Sequence, residues 1–505
     1  MKRFLSFLLI GTTILFLTVS VHAQEKSVKT PVLNAIVTVD PYKRNPLSAL
    51  VTFKTEEPAQ ISLVVCGRDG AADLTHFFPE YQTEHKIPVL GLYSNYNNSV
   101  IITAHFKDKT TQTEEISIPI SKVNRRGLII VQEKNDTKTR YHYLSDGLVL
   151  DEEGYLRFSF ANKGTIAYFF NNEIILEKRT SGLTRYSLMG EEKQVYPYPK
   201  GFASFTHGIG QKPNGNFLVI GSFSNTTIAL EDKIVPTHRD FVIELDYHTG
   251  KMLNKIDLAE ILNPNRDVIV PKNHIDYGLN DWCHINGVDY DPTDAGIVVS
   301  CRHSGIIKVN EKTKELTWIL SPNKGFEKSG RLGDGPDISH KVLSAIDSNN
   351  QKFDSKIQSG AISNTSFKWP TKNHNVKVYP NHIIAVYDNA GDVYDRDIYS
   401  TKFSNASLYK IDENKKTVQQ LWIENLGFQS SSGSSVLYYP DEGEVVVYSS
   451  SVQDKDQKGL SYGRLTRYDF DTHKVLFSAM VVRGGEAYYY RNEDFEFYPK
   501  DKALK

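Results

Sequence analysis

From about residue 140 onward, apolar and polar positions alternate in short runs that return in one order. Aligned on their turns, DGLVLDEEGYLRF from Asp146, HGIGQKPNGNFLVI from His207, NGVDYDPTDAGIVV from Asn286, HNVKVYPNHIIAV from His374 and SSVLYYPDEGEVVV from Ser434 share a plan. A polar residue opens each, period-two apolar positions follow, and a turn leads into a return run, which predicts a β-hairpin. A second hairpin follows four of the five: FVIELDYHTGKMLNKIDL, GIIKVNEKTKELTWIL, SLYKIDENKKTVQQLWI and RLTRYDFDTHKVLFSAM. TIAYFFNNEIILEKR reads as a shorter version after the first. Four strands per unit, repeated every roughly sixty to ninety residues, is the pattern of β-propeller blades carrying insertions. Strands before 146 and after 482 (GEAYYYRNEDFEFYP) add to the five legible units, so an all-β fold with a six-bladed β-propeller is predicted. A parallel-helical solenoid or a second sandwich is the architectural alternative. The longest insertion, about 322–366, is rich in Gly, Ser, Asp and Lys and reads as a lid or cap loop.

Residues 30–125 differ. VLNAIVTVD, SALVTFKT, AQISLVVCG, KIPVLGLYS, SVIITAHFK and EEISIPI alternate between turn residues, as in a small β-sandwich, and Asn124-Arg125-Arg126-Gly127 marks a joint. Ahead of it, Lys2 and Arg3 precede the apolar run 4–21, and Val21-His22-Ala23 supplies small residues at −3 and −1. That is a secretory signal, with cleavage expected after Ala23 and the mature protein expected in the periplasm. No other segment approaches the about 20 apolar residues of a membrane span. The predicted organisation is therefore 1–23 signal peptide, 24–126 N-terminal β-sandwich and 127–505 propeller.

Composition supports this reading. Tyr 28 and Phe 25 against Met 4 favour pleated surfaces. A net charge of 59 − 60 = −1 gives no reason to expect nucleic acid or an anionic membrane as partner. A homodimer is an open expectation. Of the three cysteines, Cys66 stands alone, while Cys283 and Cys301 flank one predicted hairpin. A turn centred on Pro292 sets these two face to face, where an oxidising compartment would allow a disulfide. No C-x-x-C pair suggests structural zinc.

The chemistry sits in the polar openers. First strands of propeller blades line the central channel in parallel, so their starts converge at one mouth, here Asp146, His207, Asn286, His374 and Ser434. His284 lies two positions before Asn286 and shares its strand face. The same register sets Arg302 opposite Trp282, at the same end. A lone histidine at a strand start is usually a satisfied surface or turn residue; the repeat separates His207, His284 and His374 from that reading. Three histidines with an open position suit zinc, which would make a sulfate or phosphate ester hydrolase, but Arg302 is an awkward neighbour for a cation. Without metal or other cofactor the cluster is an oxyanion pocket with an imidazole nucleophile, where Arg302 and Asn286 hold sulfate or phosphate oxygens. A non-catalytic ligand-binding propeller is the third reading.

DWCHINGVDYD, IVVSCRHSGIIKV, HGIGQKPNGN and the H-x5-P-N strand at His374, together with PVLNAIVTVDPY and IPVLGLYSNYNN near the N-terminus, resemble the bacterial arylsulfotransferases. The resemblance covers nearly all of the mature chain. It implies a six-bladed propeller behind a small β-sandwich and sulfuryl transfer from an aryl sulfate donor to a phenolic acceptor without a nucleotide sulfate. By motif, His374 would be the transiently sulfated nucleophile, while His207, His284, Asn286 and Arg302 would bind and polarise the sulfuryl group.

Overall fold

The computed structural model describes residues 33–499 except 125–126, 162–165, 179–181, 454–461 and 484–488. The expected signal segment lies outside the described residues, as does part of the joint at 124–127. The N-terminal domain is one antiparallel sheet of five strands. SALVTFKT and AQISLVVCG, expected as two strands, are one strand, Ala49–Val65. Its register shifts between Lys54 and Ala59, across the exposed Glu56-Glu57-Pro58, where proline withholds a ladder donor. The first half pairs with Ile36–Val39 and the second with Tyr96–Phe106, while Leu74–Val89 follows both halves. Alternate residues Val51, Ile61, Leu63 and Val65 are buried in a core that continues into the ring through Tyr143, Phe497 and Tyr498. Gly91 sits at this seam at φ +70, where a Cβ would lie 3.2 Å from the Phe497 ring.

Beyond the joint, six sheets of four or more strands follow among the described residues, antiparallel except for one added strand. Their first strands are Ala167–Phe170, Phe202–Gln211, Ile285–Asp291, Asn373–Tyr379, Ser435–Tyr439 and Asn492–Asp494. Each of these packs on the next in that order. The last meets the first where the Phe169 N–H donates to Glu493 Oε2 at 2.7 Å and the Phe169 and Phe495 rings lie 4.6 Å apart. The protein is a nearly all-β propeller behind its N-terminal sheet domain. Chain ends close the ring twice. Gly127–Lys134 forms the outer edge of the sheet containing Val475–Arg483, and Asn492–Asp494 forms the inner edge of the sheet containing Tyr141–Leu144. Behind these edges, Arg467 is fully buried between Asp136, Glu152 and Glu444.

Three expectations need correction. Asp146 does not open an inner strand; it lies in the turn between Tyr141–Leu144 and Leu148–Asp151, the second and third strands of their sheet. The innermost strand of that sheet comes from the far end of the chain, and the fully buried Leu148–Asp151 imitates one locally. TIAYFFNNEIILEKR accordingly supplies the inner hairpin of its own sheet. Finally, the 322–366 insertion is packed rather than a free lid. Ser344–Ile346 adds a parallel strand beside Thr417, and Phe326 and Ile357 are buried in separate core clusters.

Candidate active site

Four inner strands kink to the left, three near their starts and the one holding His207 partway along. His207, His284, Asn375 and Ser434 have φ of +60, +52, +60 and +93. Register shifts accompany the first three, between Phe205 and Ile209, Ile285 and Gly287, and His374 and Lys377. Such bulges re-aim side chains, and left-handed non-glycine residues cluster at functional sites. Below the kinks the strands nearly touch. A Cβ on Gly210 would stand 2.8 Å from the Val288 carbonyl oxygen, and one on Gly287 would stand 2.7 Å from Asn375 Cα. Polar side chains thus gather at one mouth above a tightly packed axis.

His374 is buried and doubly held. Its Nδ1 lies 3.2 Å from the Ser434 carbonyl oxygen and its Nε2 lies 2.7 Å from the Tyr490 hydroxyl. A carbonyl can only accept, so the proton belongs on Nδ1 and the lone pair on Nε2, where Tyr490 donates. Burial, then Arg491, Arg302 and His207, pushes the His374 pKa well below 6.5 and keeps the ring neutral. His207 stacks between His284 at 5.1 Å and Tyr490 at 5.8 Å. It too is pushed well down, first by burial and then by His284 and the arginines, and its Nε2 is buried without a hydrogen-bond partner.

Arg302 arrives by a different register from the one expected. The hairpin turns beyond Pro292, pairing Asp291 with Gly296, so Ile285 faces Cys301 and the Arg302 N–H donates to the His284 carbonyl at 3.1 Å. Arg302 therefore stands opposite His284 rather than Trp282. Its guanidinium crosses to Asn389 Oδ1 at 2.7 Å and the Ser431 carbonyl at 3.3 Å. The same shift sets Cys283 diagonal to Cys301, and both thiols are free and buried. His303, whose N–H donates to the Cys283 carbonyl at 3.2 Å, takes the place opposite Cys283 where Cys301 was expected, and the expected bond is not formed. Burial and the neighbouring Cys301 push the Cys283 thiol well up.

Asn286 is on the inner strand, but its amide bonds its neighbours at both ends. Nδ2 donates to the Asn373 carbonyl at 2.9 Å, and Oδ1 accepts from Ser300 Oγ at 2.8 Å and the Asn375 N–H at 3.2 Å. It braces two neighbouring sheets beneath the histidines. Sequence reasoning missed Tyr490, Arg491, Asp281 and Arg239. The buried Arg491 guanidinium bonds three inner strands at once, through the His207 carbonyl at 2.5 Å, the Asn286 carbonyl at 2.9 Å and Asn375 Oδ1 at 3.2 Å. Asp281, three residues before His284, accepts from its Nδ1 at 2.5 Å. The signals were the Asp of DWCHIN and the Tyr-Arg of the last run.

Among the described residues, groups that bring three metal-ligand atoms within 4.8 Å do not include the trio His207, His284 and His374. Two such groups share Asp281, one with His274 and His303 and one with His238 and Asp276. There Arg239 Nη1 already lies 2.8 Å from Asp276 and 3.4 Å from Asp281, supplying the positive charge those carboxylates face.

A family model for arylsulfotransferase (ASST) matches residues 109–491, and one for the arylsulfotransferase Ig-like domain matches 36–121. The chain belongs to the arylsulfotransferase family. It is 23% identical to arylsulfate sulfotransferase AssT of Escherichia coli O6:H1 (strain CFT073), over 89% of this chain and 90% of that one. Similarity to arylsulfate sulfotransferase AssT of Lelliottia amnigena is 27% identity over 59% of this chain and 54% of the other. Among solved structures, BamB from Moraxella catarrhalis aligns over 77% of this chain and 93% of its own at 10% identity and a TM-score of 0.26. The sheet order, rather than that likeness, carries the propeller assignment.

Proposed function

We propose that this arylsulfotransferase-family enzyme moves a sulfuryl group from an aryl sulfate to a phenol in two steps through a sulfated His374. The supporting observation is the fixed tautomer of His374, a neutral imidazole whose Nε2 lone pair meets the Tyr490 hydroxyl. The incoming sulfuryl group displaces the Tyr490 hydroxyl from Nε2. His374 attacks sulfur, the S–O bond to the aryl group breaks, and phenolate leaves with a proton from a neighbouring histidine. A second phenol gives its proton to the same neighbourhood, attacks sulfur and restores the His374 lone pair. Arg302 pairs with the non-bridging oxygens, and Asn286 acts by positioning, since its amide is occupied. The six sheets serve as six blades of one ring. The basic and apolar N-terminal run supports export to the periplasm.

The experiment is a burst. Mixed with a chromogenic aryl sulfate and no acceptor, the protein should release about one phenol per chain and carry a sulfuryl group on the peptide containing His374. His374→Asn should lose both while keeping the fold. A full burst from that variant, or an adduct on His207 or His284, would overturn the assignment.

A further inference from the structure

The proposed function leaves two histidines beside the nucleophile, His207 and His284, as carriers of the phenol proton. We infer that Asp281 is a positioning residue that makes His284, and not His207, the base for the acceptor phenol. The inference rests on the sulfated-His374 route.

Geometry separates the two rings. Asp281 is buried and its Oδ2 lies 2.5 Å from His284 Nδ1. Arg239 Nη1 lies 3.0 Å from that same nitrogen. A carboxylate oxygen cannot donate, so Nδ1 carries the proton towards Asp281, and Arg239 spends its charge on Asp276 and Asp281. The lone pair of His284 is thereby fixed on Nε2, which has no hydrogen-bond partner among the described residues. The side chain is 20% exposed, so this ring opens to the mouth. Among the described residues no carboxylate bonds the His207 ring, and its Nε2 is closed off from solvent.

Charge points the same way. The groups facing His284 are Asp281, Arg239, Arg302, His207 and His303. Burial, then Arg239 and Arg302, lowers its affinity for a proton, and Asp281 is the group that restores it. Asp281 stays ionised to do so: burial pushes its carboxyl up, but His238, His284 and Arg239 together hold it well below the usual range. A buried carboxylate behind an imidazole fixes the tautomer and stabilises the imidazolium once it forms. In the second step the acceptor O–H proton goes to His284 Nε2 and the acceptor oxygen bonds sulfur. The His374 Nε2–S bond breaks and its electron pair returns to His374. The proton on His284 is then available to the next departing phenolate.

The test compares the two half-reactions with two acceptors, phenol and pentafluorophenol, the latter already ionised at neutral pH. Asp281→Asn should keep the burst with an activated aryl sulfate and slow transfer to phenol about a hundredfold or more. Transfer to pentafluorophenol should stay near the wild-type rate, because that acceptor has no proton to give. His284→Gln should show the same dependence on acceptor acidity, and it carries the test by itself if Asp281→Asn does not fold. Equal losses with both acceptors in His284→Gln would overturn the inference, as would acidity dependence that appears in His207→Gln instead. A wild-type protein without a burst would overturn the sulfohistidine route and this assignment with it.

Discussion

Arg491 is the residue whose replacement should report on structure and chemistry at once. It is 4% exposed and joins the His207 and Asn286 carbonyls and Asn375 Oδ1. Arg491→Lys keeps the charge but exchanges a planar fork for one compact ammonium, so two of the three bonds should be lost. At the lower end of about 1.5–3 kcal/mol for a bond to a charged group, this costs about 3 kcal/mol. Arg491→Met strands all three buried acceptors, offset in part because a guanidinium no longer has to be desolvated, and should cost a similar amount. The two variants should then part company in pH dependence. In the proposed route His374 attacks only when neutral, so the burst should be lost as pH falls through its pKa. Burial first and Arg491 second hold that value well below 6.5, so the wild-type burst should be flat from neutral pH to well below 6.5. Removing the charge in Arg491→Met raises the His374 pKa and moves the acid limb upward, whereas Arg491→Lys should leave the limb where it is. Urea unfolding and burst amplitude against pH measure the two effects. Identical limbs in both variants, or wild-type unfolding midpoints in both, would refute the reasoning.

Arg302→Lys should slow transfer from every aryl sulfate by a similar factor, because the fork meets the group all donors share; a loss confined to particular aryl groups would place Arg302 in aromatic recognition instead. Cys283 and Cys301 are free, so protein purified without reductant and then unfolded should titrate three thiols, and reductant should leave its melting temperature unchanged. One thiol, or a melting temperature that reductant lowers, would mean that the pair bonds.

Much of this was legible in the chain, and the misses have physical causes. Asn286, His374 and Ser434 were findable because each stands at or next to the start of an inner strand and the repeat aligns such starts; His207, aligned with them, sits instead at a bulge within Phe202–Gln211. Asp146 failed because its sheet takes its inner strand from residues 492–494, which no local pattern can announce. One register error explains two misses. The turn after Pro292 is longer than a turn centred on it, which moved Arg302 from Trp282 to His284 and drew Cys301 off Cys283. Asp281 was in plain view three residues before His284. Its role became visible only when Arg239, from the preceding sheet, and His303, across the hairpin, were in place around it. Asn286 was correctly placed on its strand, but a polar residue in a channel can point sideways as readily as upward, and only the neighbouring sheet decides which.

The manner in which the ring closes also sets when the site exists. Tyr143 pairs with Glu493, about 350 residues later, and the two residues just before that closing strand are Tyr490 and Arg491. A ribosome therefore finishes five sheets and every histidine before the hydroxyl on His374 or the guanidinium under His207 has been made. Until translation passes residue 494, the inner edge beside Tyr141–Leu144 is unpaired, and His374 lacks the cation that most strongly keeps it neutral. Fragments that stop before residue 490 hold His374 but not Tyr490 or Arg491, which set its surroundings. The site is complete only once residue 494 has been read.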